Sequence, residues 1–515
     1  MSKKVMFSTH GLVEGDFAYK TDELGFPINE IVSKKVITGQ DTGGQVYYVK
    51  ALASIYDKDY DVDLVTRRVD PRICPQFGGT FKDLGPDINY TVEKQWHEID
   101  AGLNGRNRSN VLRVPAGGNF AFVPKEEIVP LLDELIDNLV DYYKKEGTYE
   151  DIEVVEGHYR DGMLAASMLC DRVEKDTGRR PVMLVTSHSL GHKKYERNLP
   201  KYKNGEIPDE VWQWHNFEER ISHEKYGFDQ ADIIVATSPD EERRLAADPY
   251  LSDMNKVTVI PPGYNSLLFK PMSSEDKQAL ASDFVYRDLD GNERHINLSG
   301  RKVVSSLGRV VPDKGFVELS RTMKEIIAKD RNVIYMVSGE KGNPVTEECK
   351  KELDGVLDNV VFLPSLNQGQ MARVYNASSI FVMSSLNEAF GMVPIEAMGC
   401  GTAVVVGRSG FNDYAHCADI RHDNEDFSKA IGFYAPSQEV DRQRQVKAIS
   451  LLLNNDELRE QVARNGYDFV SKNLTWQQIA NKKNMLIRDV IRARDNKRGN
   501  VAGERFFRRA VGYSL

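Results

Sequence analysis

The sequence predicts an α/β protein of two doubly wound, Rossmann-like parallel-sheet domains, and three observations carry that prediction. Short apolar, β-branched runs alternate with stretches long enough to hold a helix; a Pro-Pro-Gly segment, Pro261-Pro262-Gly263-Tyr264-Asn265, interrupts the alternation; and 515 residues exceed what one hydrophobic core organises. In the first half the runs fall at 5–10, 61–67, 110–115, 152–158, 181–187, 232–237 and 257–261. In the second half they fall at 302–308, 332–339, 360–365, 379–385 and 402–407. Strands apolar on both sides, joined by helix-length crossovers, imply parallel sheets covered on both faces. The Pro-Pro-Gly segment, followed by a polar stretch up to the run at 302, marks the seam. The expected domains are therefore 1–265 and 266–475. A last helix, at about 475–495, has no strand after it and is expected to pack back on the first domain. The remaining 496–515 read as a basic tail.

Composition narrows the function classes. The chain carries 68 Lys and Arg against 77 Asp and Glu, a formal net charge of −9, with a pI near 5.7. That balance argues against a nucleic-acid partner, which usually needs a basic domain. No run of about 18 apolar residues suggests a membrane span, and the start Met-Ser-Lys-Lys-Val-Met-Phe lacks the apolar stretch of a secretory signal. The five cysteines (Cys74, Cys170, Cys349, Cys400 and Cys417) are far apart and in no metal-ligand spacing, so they read as reduced thiols of a cytoplasmic protein.

In open α/β sheets ligands bind beyond the carboxyl ends of the strands, and the chemistry-bearing residues of this chain lie at such ends. Thr38-Gly39-Gln40-Asp41-Thr42-Gly43-Gly44-Gln45 precedes a helix-compatible run. Paired glycines at a helix start let a ligand approach the backbone, and the N–H groups there favour a diphosphate. The spacing is neither a dinucleotide fingerprint nor a Walker loop, and a plain turn is the alternative. Ser306-Leu307-Gly308-Arg309-Val310-Val311-Pro312-Asp313-Lys314-Gly315 places two cations after a strand, suited to a departing diphosphate; a solvated basic loop is the alternative. In Asn387-Glu388-Ala389-Phe390-Gly391-Met392-Val393-Pro394-Ile395-Glu396-Ala397-Met398-Gly399 two carboxylates flank a Phe-Gly turn. Glu388 is expected in the strand-end loop and Glu396 one turn into a helix, both facing the opening. The N–H groups of Phe390, Gly391 and Met392 are placed to bind a sugar hydroxyl or phosphate oxygens.

His158 and His188 each end a strand run and suit donation to a sugar hydroxyl, although a buried structural histidine is the common alternative. Lys193, Lys194 and Arg197 follow His188, and Arg220 comes later; together they suit a phosphorylated substrate, or else a solvated helix face. Asp288-Leu289-Asp290-Gly291 has the look of a metal-nucleotide motif but sits in a polar stretch beside Arg287 and Arg294. Neither a zinc motif nor a cysteine pair occurs.

In combination these residues resemble the retaining GT-B glycosyltransferases, and within them the sucrose-phosphate synthase and mannosylfructose-phosphate synthase group. The likeness runs along most of the chain, through His10-Gly11-Leu12, Asp41-Thr42-Gly43-Gly44-Gln45, Gly157-His158-Tyr159, His188-Ser189-Leu190-Gly191, Ile260-Pro261-Pro262-Gly263, Gly308-Arg309, Lys314-Gly315 and Glu388 to Glu396. Lys193-Lys194, Phe217-x-Glu219-Arg220-Ile221-x-His223-Glu224, Pro262-Gly263-Tyr264 and Phe390-Gly391-Met392 look nearer the mannosylfructose type; Glu219-Arg220-Ile221 stands where sucrose-phosphate synthases tend to carry Arg-Arg-Ile. Two departures stand out. Ala389 replaces the usual Pro, and Arg408-Ser409-Gly410-Phe411-Asn412-Asp413 stands where the family shows Gly-Gly and an apolar continuation. The Arg408 loop is near neither carboxylate in sequence, so it is read as bearing on donor and acceptor identity rather than on catalysis.

The resemblance implies a GT-B architecture facing a central cleft, with catalytic roles for His188, Arg309, Lys314 and Glu388. It implies donor contacts from Gly43, Gly44, Gly308, Phe390, Gly391, Met392 and, at the ribose, Glu396. Gln45, His158, Lys193, Lys194 and Arg220 are implied for the acceptor. The implied reaction moves a hexose, read as mannose from GDP-mannose, to a sugar or sugar phosphate such as fructose 6-phosphate, with retention. The alternatives are glucosyl transfer from UDP-glucose, mannosyl transfer to a glycerate glucoside, and a nucleotide-sugar epimerase of the same architecture. No tightly bound cofactor is implied; a divalent metal is allowed as a stimulant with no recognised ligand motif. The expected partners are small molecules, with neither nucleic acid nor membrane among them.

Overall fold

The computed structural model describes residues 1–9, 44–56, 58–68, 93–96, 110–118, 123, 125, 127–198, 216–386, 388–420, 426–436 and 441–499. They divide into two compact units. One runs up to Ile260 and resumes at Ile479; the other runs from Pro261 to Gln478.

The first unit is built on eight strands: β1 (Lys3–Phe7), β2 (Asp61–Arg67), β3 (Glu93–Trp96), β4 (Asn110–Val114), β5 (Ile152–His158), β6 (Val182–Thr186), β7 (Ile233–Ala236) and β8 (Val257–Val259). Their order is β3-β4-β2-β1-β5-β6-β7-β8, parallel except for the antiparallel edge pair β3–β4. One face of the centre of this sheet is apolar, with Val5, Phe7, Val65, Leu112, Val155 and Val185 in one continuous core with Met163 of the helix after β5, and the other face buries Met6, Leu64 and Leu184. Helix Leu132–Glu146 shows how a crossover is specified. Its buried residues Leu132, Leu135, Ile136, Leu139, Val140 and Tyr143 recur at helical spacing, with Asp133 and Glu134 in the first turn and Lys144 and Lys145 in the last. Helix Tyr159–Thr177 follows β5 directly and packs so closely that a Cβ on Gly157 would meet the Gly162 carbonyl oxygen at 2.6 Å. Glycine is required there for close approach.

Within this apolar sheet lies a cluster of charges. Glu156 on β5 is fully buried, with Lys4 Nζ 2.7 Å from Oε2 and Lys483 Nζ 2.7 Å from Oε1. Lys4 also lies over the Tyr56 ring, 3.4 Å from its centroid, and Lys483 lies 4.9 Å from that of Tyr48. Burial pushes Lys4 down to about 8 despite Glu156. Burial acts on Glu156 in the opposite direction, yet the two ammoniums hold its carboxyl well below the usual range. Lys483 belongs to the last helix, Trp476–Gly499, which also attaches to this unit through Asn484 and Arg488 on Asp59 and through Arg494 on Asp232.

The second unit has a parallel sheet of β11 (Lys302–Ser306), β12 (Val333–Ser338), β13 (Val360–Leu363), β14 (Ile380–Met383), β15 (Ala403–Val406), β16 (Ala418–Asp419) and β17 (Phe433–Tyr434), after a hairpin of β9 (Phe284–Arg287) and β10 (Glu293–Ile296). The sheet order is β13-β12-β11-β14-β15-β17-β16. At the Pro-Pro-Gly segment, Tyr264 pairs with the far end of the unit: its N–H donates to Leu474 O at 2.9 Å, and a Cβ on Gly263 would meet Trp476 N at 2.8 Å. The polar stretch before Lys302, read from the sequence as a linker, is the β9–β10 hairpin with helix Ser274–Ser282 ahead of it. Asp288 closes its turn, accepting from the Asp290 and Asn292 N–H groups at 2.9 Å and from Arg294 Nε at 2.8 Å. Those bonds, the Arg294 one foremost, hold its carboxyl down at about 2, while Asp290 pairs with Lys341 at 2.9 Å. Among the described residues, none of the clusters of His, Cys, Asp and Glu could hold a metal, and no helix is long and apolar enough to cross a membrane. Cys170, Cys349, Cys400 and Cys417 are buried free thiols.

Removing an anion shared by two buried cations leaves charge uncompensated, at a cost of about 3–5 kcal/mol. Glu156→Leu is therefore expected to lower the urea midpoint by that amount of stability with little change in denaturant slope.

Candidate functional site

In the first unit the polar residues gather where β5 and β6 end side by side, His158 opposite Thr186. His158 closes β5, and the residue after it, Tyr159, has φ +66; His188, beyond β6, has φ +57. A left-handed conformation at non-glycine residues is uncommon and clusters at sites where the surrounding structure imposes it. The two imidazoles meet, with His158 Nδ1 and His188 Nε2 2.9 Å apart. The Tyr48 ring stands edge-on to both, at 5.7 Å and 4.8 Å between centroids. Tyr48 comes from helix Gly44–Tyr56, which Gly44 opens and Gln45 continues; Gly43 lies outside the described residues.

His158 departs from the acceptor-binding role that the sequence suggested. It has no exposed surface, its Nδ1 is directed at His188, and its Nε2 is 3.3 Å from Glu156 Oε1. Burial and the nearby ammoniums hold its pKa below the ordinary value, so the ring is neutral at pH 7. His188 retains partial exposure.

The cations beyond β6 separate into two groups. Lys194 Nζ and Arg220 Nη1 both donate to the Tyr159 hydroxyl, at 2.8 and 2.5 Å, and Arg220 lies 4.5 Å over the Tyr159 ring. Arg220 is fixed further by Glu224 (2.8 Å) and the Ser189 carbonyl (2.7 Å). Burial works to raise the Tyr159 phenol, but Arg220, Lys194 and Lys125 bring it down to about 8. Lys193 does not join them: it bonds Asp240 at 2.8 Å, and Asp240 also accepts from Arg244 Nε at 3.1 Å. The adjacent lysines diverge because successive helical side chains point about 100° apart.

In the second unit the site is the junction of three strand-end loops. Gly315, at φ +66, packs so tightly that a Cβ would lie 2.2 Å from Ser384 O. Ser384 Oγ donates to Lys314 O at 2.7 Å, and Leu386 N–H to Asp313 O at 3.0 Å. That fastening carries the Lys314 ammonium onto the Glu388 carboxylate, where Ser385 Oγ also donates at 3.3 Å. Burial would raise Glu388, but Lys314, Ser385 and Arg309 together hold it below the usual carboxylate range. It is therefore an ionised acceptor. Arg309 is exposed, and Gly308 N–H is anchored on Ser338 Oγ at 3.0 Å.

Two features of this half differ from the sequence reading. Glu396, expected to face the same opening as Glu388, is only 4% exposed, on helix Val393–Gly399, with the Tyr375 hydroxyl 3.4 Å from Oε2. Burial pushes its carboxyl up to about 7. The Arg408 loop, remote from the carboxylates in sequence, pairs with one of them in space. Glu388 N–H donates to Arg408 O at 3.2 Å, Gly410 N–H to Glu388 O at 3.4 Å, and Phe411 N–H to Phe390 O at 2.9 Å. The loops after β14 and β15 are neighbours because those strands are, so the family departure at Arg408 supports the backbone of Glu388. Gly391, at φ +95, gives the chain its turn between Phe390 and Met392.

Sequence reasoning passed over Glu156, Lys4, Lys483 and Tyr48, which adjoin the histidine pair. A signal existed for Glu156: an acidic residue two positions before His158 in an apolar run must share its face of the strand.

Residues 292–469 match the family model described as glycosyl transferases group 1. Over 375 residues the chain is 29% identical to mannosylfructose-phosphate synthase of Agrobacterium fabrum, covering 71% of each. Over 489 residues it is 26% identical to a probable sucrose-phosphate synthase of Thermosipho melanesiensis, covering 92% of this chain and 95% of that one. Among solved structures, sucrose-phosphate synthase of Thermosynechococcus elongatus matches with a TM-score of 0.65 at 21% identity, over 96% of this chain and 100% of that one. Residues 292–469 thus carry a group 1 glycosyl transferase domain, and the chain has the GT-B fold and is similar to the mannosylfructose-phosphate and sucrose-phosphate synthases.

Proposed function

We propose that the chain transfers a hexose, mannose from GDP-mannose, to a hydroxyl of a phosphorylated sugar such as fructose 6-phosphate, with retention of anomeric configuration. The observation that carries this reading is the junction of Lys314, Glu388 and Arg309 at the strand ends of the second unit. An ionised carboxylate accepts hydrogen bonds from donor-hexose hydroxyls, and the two cations suit the diphosphate next to them. Lys194 and Arg220, converging on Tyr159, suit the acceptor's phosphate.

In this reading the bond from the anomeric carbon to the diphosphate oxygen breaks as the acceptor oxygen bonds to the same face. The acceptor's proton passes to the leaving diphosphate oxygen. Arg309 and Lys314 neutralise the charge that accumulates there, so electrostatics and positioning carry most of the acceleration. A carboxylate nucleophile is not required. A second reading, glucosyl transfer from UDP-glucose, is favoured by the longer likeness to the sucrose-phosphate synthase of Thermosipho melanesiensis.

A thermal-shift panel of GDP-, UDP- and ADP-sugars separates these readings, because a ligand that binds only the native state raises its melting temperature. GDP-mannose is expected to give the largest shift, a larger shift with UDP-glucose would select the second reading, and a flat panel would overturn both. Lys314→Ala is expected to reduce turnover by roughly two orders of magnitude or more, the scale of one electrostatic donor, with an unaltered circular-dichroism spectrum. If Glu396 accepts from the ribose hydroxyls, its carboxyl at about 7 sets a direction with pH. Nucleotide affinity should rise from pH 6 to pH 8 as the carboxyl ionises, and Glu396→Gln should flatten that dependence in calorimetric titrations.

A further inference from the structure

We infer that Glu156, held between Lys4 and Lys483, fixes through His158 the tautomer of His188, so that His188 carries its proton on Nε2 and presents Nδ1 as its unprotonated nitrogen. Glu156, His158 and Lys483 are then positioning residues for the site of the first unit, and Lys483 brings the last helix of the chain into that task.

Glu156 has an ammonium 2.7 Å from each carboxylate oxygen, which favours its ionised form. His158 Nε2 is 3.3 Å from Glu156 Oε1. A ring lone pair 3.3 Å from an ionised oxygen is repelled, whereas an N–H there is attracted by the charge even without hydrogen-bond alignment, so the proton of His158 resides on Nε2. A second proton on that ring would put another cation beside two buried ammoniums, in a place with no exposed surface. The ring is therefore neutral, and its Nδ1 holds a lone pair. That lone pair is 2.9 Å from His188 Nε2, which must supply the hydrogen. In neutral His188 the remaining lone pair is on Nδ1.

The geometry holds this order in place. Glu156 and His158 alternate on one face of β5. Tyr48 stands edge-on to both imidazoles, at 67° and 85° to their planes, and limits rotation of either ring. The left-handed backbone at His188 fixes the side from which its ring enters. Thr186 Oγ1 lies 3.4 Å from Lys483 Nζ and completes the enclosure. The consequence for hexosyl transfer, an Nδ1 that accepts a hydrogen bond from a substrate hydroxyl, rests on the function proposed above. The tautomer itself does not.

The test is a two-bond ¹H–¹⁵N correlation spectrum of the full chain, labelled at histidine, at pH 8, with His188 assigned by the signal lost in His188→Gln. The expected pattern is neutral His188 protonated on Nε2; protonation on Nδ1 overturns the proposal, whatever the enzyme's substrate. In E156Q the amide can donate to His158 Nε2 and reverse both rings, so His188 should move its proton toward Nδ1. In the same variant kcat should fall by about tenfold or more, with the nucleotide-sugar KM within about threefold. Should E156Q fail to fold, His158→Leu breaks the relay without uncovering the lysines and should leave His188 as a mixture of tautomers. A proton that stays wholly on Nε2 in the folded variant overturns the coupling.

Discussion

The carboxylate of Glu156 is where distant parts of the first unit are tied together. Lys4 comes from the first strand, Glu156 from the central β5, and Lys483 from the last helix, so each end of the described chain supplies an ammonium. Burying three charges is unfavourable unless each finds its partner in good geometry. That geometry exists only when β1 and β5 are in register: Lys4 aligns with Val154, which places Lys4 and Glu156 on the same face. A slip of one residue would turn every side chain of the strand to the other face, and the cluster would be lost. The interaction therefore selects one arrangement of strand and helix over others, even where an apolar substitute would be equally stable.

The two units handle polar residues in a common way. Each gathers them where neighbouring parallel strands end, and each secures them with backbone conformations that side chains rarely tolerate. Tyr159 and His188 take left-handed φ values in the first unit, and Gly315 and Gly391 do so in the second. Cations there are held by protein oxygens: Lys194 and Arg220 on Tyr159, Lys314 on Glu388. Such pairing holds long side chains in one rotamer, which lowers the conformational entropy that any ligand would have to remove.

Much of the fold was legible because both sheets are mainly parallel and buried on both faces. Their inner strands announce themselves as apolar runs, and the runs at 152–158, 181–187, 302–308 and 379–385 each contain a strand. The elements that escaped lack that signature. In the β9–β10 hairpin β10 is exposed and polar and β9 is a short, partly buried run of four, so the pair read as linker, and β16 and β17 are two residues each. Around the site, residues next to a strand end were legible, since chain order alone puts Arg309, Glu388 and His188 beyond strands. Which partner each one took was not.

The sequence by itself determined the fold class, the alternation that builds it and the kinds of chemistry available at strand ends, because local patterning and short-range spacing specify those. Tertiary structure decided the pairings: Lys193 with Asp240 and Lys194 with Tyr159, Glu388 beside the Arg408 loop, Glu396 buried under Tyr375, and His158 withdrawn between Glu156 and His188. Such pairings join residues tens to hundreds of positions apart. The order of strands in a sheet sets them, and hydrophobic periodicity carries no record of that order.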